Sequence, residues 1–293
     1  MKVGLFAINY GTCGDPGAAV RVARAAEGAG FESVWSGEHI VLPDPRAGRS
    51  PLPPRTPLLD VAVSLTLIAA HTRTLRLGSG IIVLPQRNPL VLAKELASVD
   101  VVSGGRLIAG VGAGYLAQEF EALGIPLTGR GRRMNDYIRA LRAIWTQQPA
   151  RYQGEFVSFS GVTAYPQPVQ RPSPPIVIGG ESQPALHRAA TMGNGWYGFG
   201  LTPDRTQQLT GTLRRIAGEH ERPAGLGRLE LSVTPVGTFD ERAVERYASL
   251  GVDRLIVLPK PDATLRERHA AVAIDDILRD IERVSDTVKR ATG

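Results

Sequence analysis

A carboxylate and an imidazole stand side by side at Glu38 and His39, within "GFESVWSGEHIVLP" and just past a short run, Ser33-Val34-Trp35, that reads as a buried strand. An imidazole changes protonation near neutral pH, so it can give or take the proton that accompanies a movement of charge on a bound substrate. A neighbouring carboxylate would orient such a ring. The other four histidines (His71, His187, His220 and His269) fall within or at the ends of expected helices, where a solvated surface role suffices. Cys13 follows the first strand but has no evident base beside it, which makes it a passive neighbour rather than a nucleophile.

Glycine clusters mark the other candidate positions. "GVGAG", with Gly110, Gly112 and Gly114, follows a strand and opens a helix, yet the third glycine of a dinucleotide fingerprint would fall on Tyr115 and no acidic residue ends a following strand. What remains is close backbone approach, with Gly112 and Gly114 leaving room for a flat ligand. In "IGGESQPAL", Gly179 and Gly180 turn the chain and Ser182 can cap the next helix, so the free N–H groups of its first turn suit a phosphate. An ordinary helix cap needs the same residues. "GSGIIVLP" places Gly78 and Gly80 in a core strand, where glycine marks a bulge or a close contact. P-loop, nucleophile-elbow and H-E-x-x-H patterns are absent from the sequence.

Alternating elements must position these residues. Strands are expected at "KVGLFAI", "FESVWS", "LRLGSGIIVLP", "RLIAGVGAG", "PIVIGG", "GWYGFG", "RLELSVTPVG" and "VDRLIVLP", each followed by a run with helical spacing. Asn88-Pro89 opens one helix with a cap and a proline at its first position, and Gly104-Gly105 ends it. Eight strand–helix units with continuously apolar strands predict a (β/α)8 TIM barrel, taken as one domain over 1–293. The alternation breaks at 147–174, a Pro- and Gly-rich stretch expected to insert a small hairpin or lid between strands four and five. Together with the Pro-rich loop 43–57, it is expected to cover the mouth, where the carboxyl ends of the strands place Glu38 and His39.

Composition narrows the partners. A 43% hydrophobic, 21% charged chain has material for a core. One cysteine allows no intrachain disulfide, and no Cys/His spacing suggests a metal, which together favour the cytoplasm. The start of the chain lacks a signal-like hydrophobic stretch, and no apolar run is long enough to span a bilayer. The net charge of +6 is scattered along helices and loops, so a small anionic molecule is the expected partner rather than a nucleic acid or a membrane.

The order "VWSGEHIVLP", "GSGIIVLPQRNPLVLAKELASVDVVSGGRLIAGVGAGYLAQEFEALG" and "RPSPPIVIGGESQPALHRAATMGNGWYG" closely resembles the bacterial luciferase-like superfamily of flavin and deazaflavin oxidoreductases, nearest to its F420-dependent branch. The similarity runs to about residue 200. It implies a cofactor site in which His39 is the active-site histidine and Glu38 the acidic neighbour that helps hold the ring system. Gly80 and Ile81 match a non-proline cis peptide behind the isoalloxazine. Gly112, Ala113 and Gly114 match the strand-four end, Gly180, Glu181 and Ser182 the phosphate loop after Gly179, and Gly198 and Phe199 the strand-six border. Tyr115 stands where some F420 members carry a second acid, which leaves it to hydrogen-bond or stack. Arg130, Arg132 or Arg133 could meet the acidic F420 tail, although a solvated helix start is the expected role for any one of them. The resemblance implies an F420-dependent oxidoreductase of a small organic substrate, dimeric as relatives commonly are and served by a separate cofactor-reducing enzyme. Glu-His also occurs among FMN monooxygenases, so FMN with reduced flavin and O2 is the alternative, and a non-catalytic flavin-binding barrel is a second.

Overall fold

The computed structural model describes residues 1–47, 49–258 and 272–292. The first half runs β1 (Lys2–Phe6), α1 (Pro16–Gly28), β2 (Ser33–Ser36), α2 (Val61–His71), β3 (Arg76–Ser79), β4 (Ile82–Val83), α3 (Pro89–Val102), β5 (Leu107–Gly112), α4 (Ala117–Ala122) and α5 (Arg130–Thr146). A hairpin follows, β6 (Ala150–Gln153) and β7 (Ser158–Val162). The second half is β8 (Ile176–Gly179), α6 (Gln183–Met192), β9 (Gly195–Leu201), α7 (Pro203–Glu219), β10 (Glu230–Pro235), α8 (Glu241–Ser249), β11 (Arg254–Val257) and α9 (Ile274–Thr292).

Parallel pairing closes the barrel: β1 pairs with both β2 and β11, and β3 meets β5 through Leu77 and Leu107. Because β3 and β4 share one position, with the non-proline cis bond Gly80–Ile81 between them, the sheet has eight positions around the ring. β2, β5 and β8 are buried along their whole length, as strands covered by helices on one side and a filled interior on the other must be. Helices begin where the sequence supplies an oxygen and a proline. Asn88 Oδ1 accepts from the Leu90 and Val91 amides ahead of α3, and Asp15, Ser182 and Thr202 cap α1, α6 and α7, all four with proline in the first turn.

Trp35 fills the centre of the barrel because its neighbours have no side chains. A Cβ on Gly78 would lie 2.4 Å from the indole and one on Gly4 2.8 Å from its Nε1. Phe6, Ile108, Tyr197 and Ile256 pack around it. Below, at the amino ends of the strands, Arg254 is fully buried and stands 5.6 Å over the indole. Its guanidinium is gripped by both oxygens of Glu32 at 2.7 Å, by Glu230 and by Ser232. Arg254 and its acidic partners thus fill the amino end of the barrel.

The hairpin corrects one expectation. Asp136 on α5 accepts from the Phe156 and Val157 amides at 2.7 and 3.2 Å and from the Tyr152 hydroxyl, which holds β6–β7 along the outside of the barrel. The chain then returns to Asp100, which takes the Val169 amide at 2.7 Å, and Gln170 reaches Arg76 at the start of β3. That is the rim opposite the mouth, so the 147–174 insert is an outer brace and not a lid. His269 and Pro259, the last residue of the eighth expected strand, lie outside the described residues. Among the described residues no helix is long and apolar enough to cross a membrane.

Candidate functional site

The carboxyl ends of the strands enclose a cavity of about 1340 Å³, larger than the roughly 300–1,000 Å³ of an ordinary small-ligand site. Glu38, His39, Gly80, Ile81, Ala113, Gly114, Gly179, Gly180, Glu181, Ser182 and Phe199 all line it. Gly112 and Gly198 do not, and both expectations are corrected. A Cβ on Gly112 would stand 1.8 Å from Ile81 Cδ1, and one on Gly198 would meet Leu201 at 2.4 Å and Trp196 at 2.5 Å. Gly112 thus makes room for Ile81 from behind, as Gly179 does from the side, where a Cβ would meet Ile81 Cγ2 at 2.9 Å. Ile81 is thereby presented to the cavity as a small apolar platform.

Glu38 does not orient the imidazole. Its carboxylate turns away from His39 to accept from the Val83 amide at 2.6 Å and from Arg87, whose guanidinium also reaches Asp60 at 2.8 Å. Burial pushes the Glu38 carboxyl up, with Arg87 opposing it, and the two carboxylates make Arg87 hold its proton more firmly than a free guanidinium. The network pins β4 and the turn after it to the end of β2, so Glu38 acts on the platform and not on the ring.

The partner of His39 is Glu119, on the first turn of α4. Its side chain is 1% exposed, and its oxygens lie 3.1 Å from His39 Nδ1 and 2.6 Å from the Ile40 amide. Burial alone would raise this carboxyl, but His39 and the Ile40 amide outweigh burial and hold it below the usual carboxylate range. An ionised carboxylate only accepts, so Nδ1 carries the hydrogen and Nε2 is left as the ring nitrogen available to a ligand. Gln86 is buried against the same carboxylate, with neither amide atom in hydrogen-bond geometry.

Nothing local in the sequence marks Glu119. It lies two residues from the exposed Glu121 in the same short helix, and only the packing of α4 against the turn after β2 distinguishes them.

Tyr115 stands edge-on to His39, with ring centroids 6.1 Å apart, and burial raises its phenol, so it is a neutral hydrogen-bonding and stacking group. Arg49, from the 43–57 loop, lies 5.7 Å over the Tyr115 ring, and Arg46, Ser50 and Leu52 of that loop line the mouth with it. Arg49 likewise carries no local signal, since the loop holds several arginines. Of the three basic candidates, Arg130 lines the cavity and donates to the Gly114 carbonyl at 3.0 Å. Arg132 pairs with Glu155 and Arg133 stacks on Phe156, so both serve the hairpin.

Opposite the histidine, Gly180 takes a φ of +119°, open to glycine far more readily than to other residues, and delivers the chain to the first turn of α6. Ser182 accepts from Ala185, and Glu181 pairs with Arg205 at 3.0 Å outside that turn. The exposed first turn gives the cavity an electropositive end suited to a phosphate. Cys13 is buried, and burial pushes its thiol up to about 12, which removes it as a nucleophile. Among the described residues no group of three or more His, Cys, Asp or Glu side chains could hold a metal.

A family model described as luciferase-like monooxygenase matches residues 1–292. The uncharacterized protein Rv0953c of Mycobacterium tuberculosis is 33% identical over 265 residues, 85% of this chain and 89% of that protein. The FMNH(2)-dependent dimethylsulfone monooxygenase of Pseudomonas putida is 39% identical over 141 residues, 47% of this chain and 38% of its own. Among solved structures, an F420-dependent secondary alcohol dehydrogenase in complex with an F420-acetone adduct shares the fold with a TM-score of 0.74 at 14% identity, over 93% of this chain and 98% of that one.

Proposed function

We propose a function from one premise: the chain belongs to the luciferase-like monooxygenase family, whose members include F420- and flavin-dependent oxidoreductases. On that premise the protein is an F420-dependent oxidoreductase of a small organic substrate, with His39 as its acid/base. The observation that carries the reading is the Glu119–His39 pair at the wall of a cavity with an apolar platform in the middle and a helix N-terminus at one end. A flat tricyclic ring with a phosphate-bearing side chain fits those three features, and when bound it supplies hydride chemistry.

The chain's own residues do the rest. Ile81, backed by Gly112 and Gly179, supports the ring face. The first turn of α6 holds the phosphate. His39, oriented through Nδ1, gives or takes at Nε2 the proton that balances charge on the substrate, while Phe6, Tyr197 and Phe199 give the cavity an aromatic wall. F420 is favoured over FMN because Arg49 and Arg130 give the mouth cationic groups for an acidic tail.

The second reading, an FMN-dependent monooxygenase using reduced flavin and O2, is favoured by the similarity of nearly half the chain to the dimethylsulfone enzyme. Titrating the apoprotein with F420 and with FMN, followed by fluorescence and absorbance, separates the two. Tight F420 binding with FMN at least about tenfold weaker, a gap of roughly 1.4 kcal/mol, supports the first reading, and the reverse order supports the second.

A further inference from the structure

Away from the cavity, α6 and the end of α7 bring two exposed imidazoles together. Nε2 of His187 lies 3.4 Å from Nε2 of His220, with the rings at 88° and their centroids 4.8 Å apart. The second nitrogen of His220 sits 3.0 Å from the Ile216 carbonyl, which only accepts, so Nδ1 carries the hydrogen and Nε2 a free lone pair. Metal-ligating histidines are held in this way, with the non-ligating N–H on a backbone carbonyl. Two imidazole nitrogens bound at about 2.0–2.1 Å to one tetrahedral ion stand roughly 3.3 Å apart, so the observed spacing needs no movement of either helix.

The scaffold is also fixed. Arg222, two residues past His220, donates to the carbonyls of Ala190 at 2.8 Å and Gly193 at 2.6 Å, which locks the chain leaving α7 onto α6.

We propose that His187 and His220 form a two-histidine site for a borderline divalent transition ion, of the class of zinc, nickel or copper. Imidazole donors suit these ions and not calcium or magnesium. Among the described residues no third protein ligand completes the set, so water fills the remaining positions. An ion there ties α6, whose first turn faces the cavity, to the end of α7. A plain N–H···N hydrogen bond between the rings is the competing explanation, and it predicts no metal uptake.

The test is calorimetric titration of zinc chloride into the intact, metal-stripped chain near neutral pH, with His187→Ala, His220→Ala and His39→Ala in parallel. The proposal expects one zinc per chain in the wild type and in His39→Ala, and loss of that binding in both other variants. The thermal midpoint should rise with zinc in the same two proteins only, because an ion bound by the folded state alone stabilises it. Both side chains are exposed, and circular dichroism checks that the variants are folded. No zinc uptake by the wild type, or uptake that survives both substitutions, overturns the proposal.

Discussion

Replacing Glu119 by glutamine keeps the shape of the side chain and removes one of its two acceptors. In the wild type the carboxylate takes both the Ile40 amide and the His39 Nδ1 hydrogen. A glutamine that keeps the Ile40 amide on its oxygen turns its NH2 toward Nδ1, which must then accept, and the ring hydrogen moves to Nε2. His39 would present a donor to the cavity where it now presents a lone pair. Acid–base catalysis of this kind is worth about 10²–10⁴ in rate, so turnover should fall by that factor while cofactor affinity changes little. Exchanging a charge-assisted hydrogen bond for a neutral one costs about 1 kcal/mol, or about 2–4 °C in thermal midpoint.

The sign with pH follows from the depressed Glu119 carboxyl. Its stabilisation is fully present above the unfolded value of about 4.3 and is lost as pH falls through the lower folded value, so the gap between wild type and Glu119→Gln should close in acid. Nitrogen NMR of the imidazole reads the tautomer directly, without a substrate, and calorimetry reads the stability. A glutamine variant with the hydrogen still on Nδ1 and wild-type stability at neutral pH would refute this reasoning.

Gly112→Ala drives a methyl group to within 1.8 Å of Ile81 Cδ1, and overpacking of this kind costs about 1–3 kcal/mol. Cofactor titration should show at least about tenfold weaker binding in that variant, and unchanged affinity would remove Ile81 as the platform. Arg49→Ala should weaken F420 binding while sparing FMN, with the difference shrinking at high salt, because the guanidinium is exposed. Equal effects on both ligands would argue against a role toward an acidic tail. Arg254→Met leaves Glu32 and Glu230 facing each other at the closed end of the barrel, at a cost of about 3–5 kcal/mol in a denaturant melt, with cofactor affinity retained in the folded fraction.

Local chemistry made the barrel legible. The Asn88-Pro89 start and the Gly104-Gly105 stop delimit α3 in the sequence and in the structure, and the fully apolar runs became the buried strands. The third expected strand, "LRLGSGIIVLP", is divided into β3, paired with β2 and β5, and β4, paired with β5, and the loss of a partner strand along a run leaves no trace in hydrophobic spacing. The site was legible where residues follow a strand end, as His39, Gly114 and Gly180 do. It was not legible where the candidate site is built by a long-range contact. Glu119 is 80 positions from His39, and the hairpin's docking on Asp136 and Asp100 is set by tertiary hydrogen bonds that no local pattern encodes.

The most direct test of the central claim is a crystal structure of the chain soaked with F420. The expected result is a ring resting on Ile81, a phosphate at the first turn of α6, and Nε2 of His39 directed at the ring with Nδ1 still on Glu119. A ring bound outside the cavity, or a His39 side chain turned to bulk solvent with the ring in place, would contradict it.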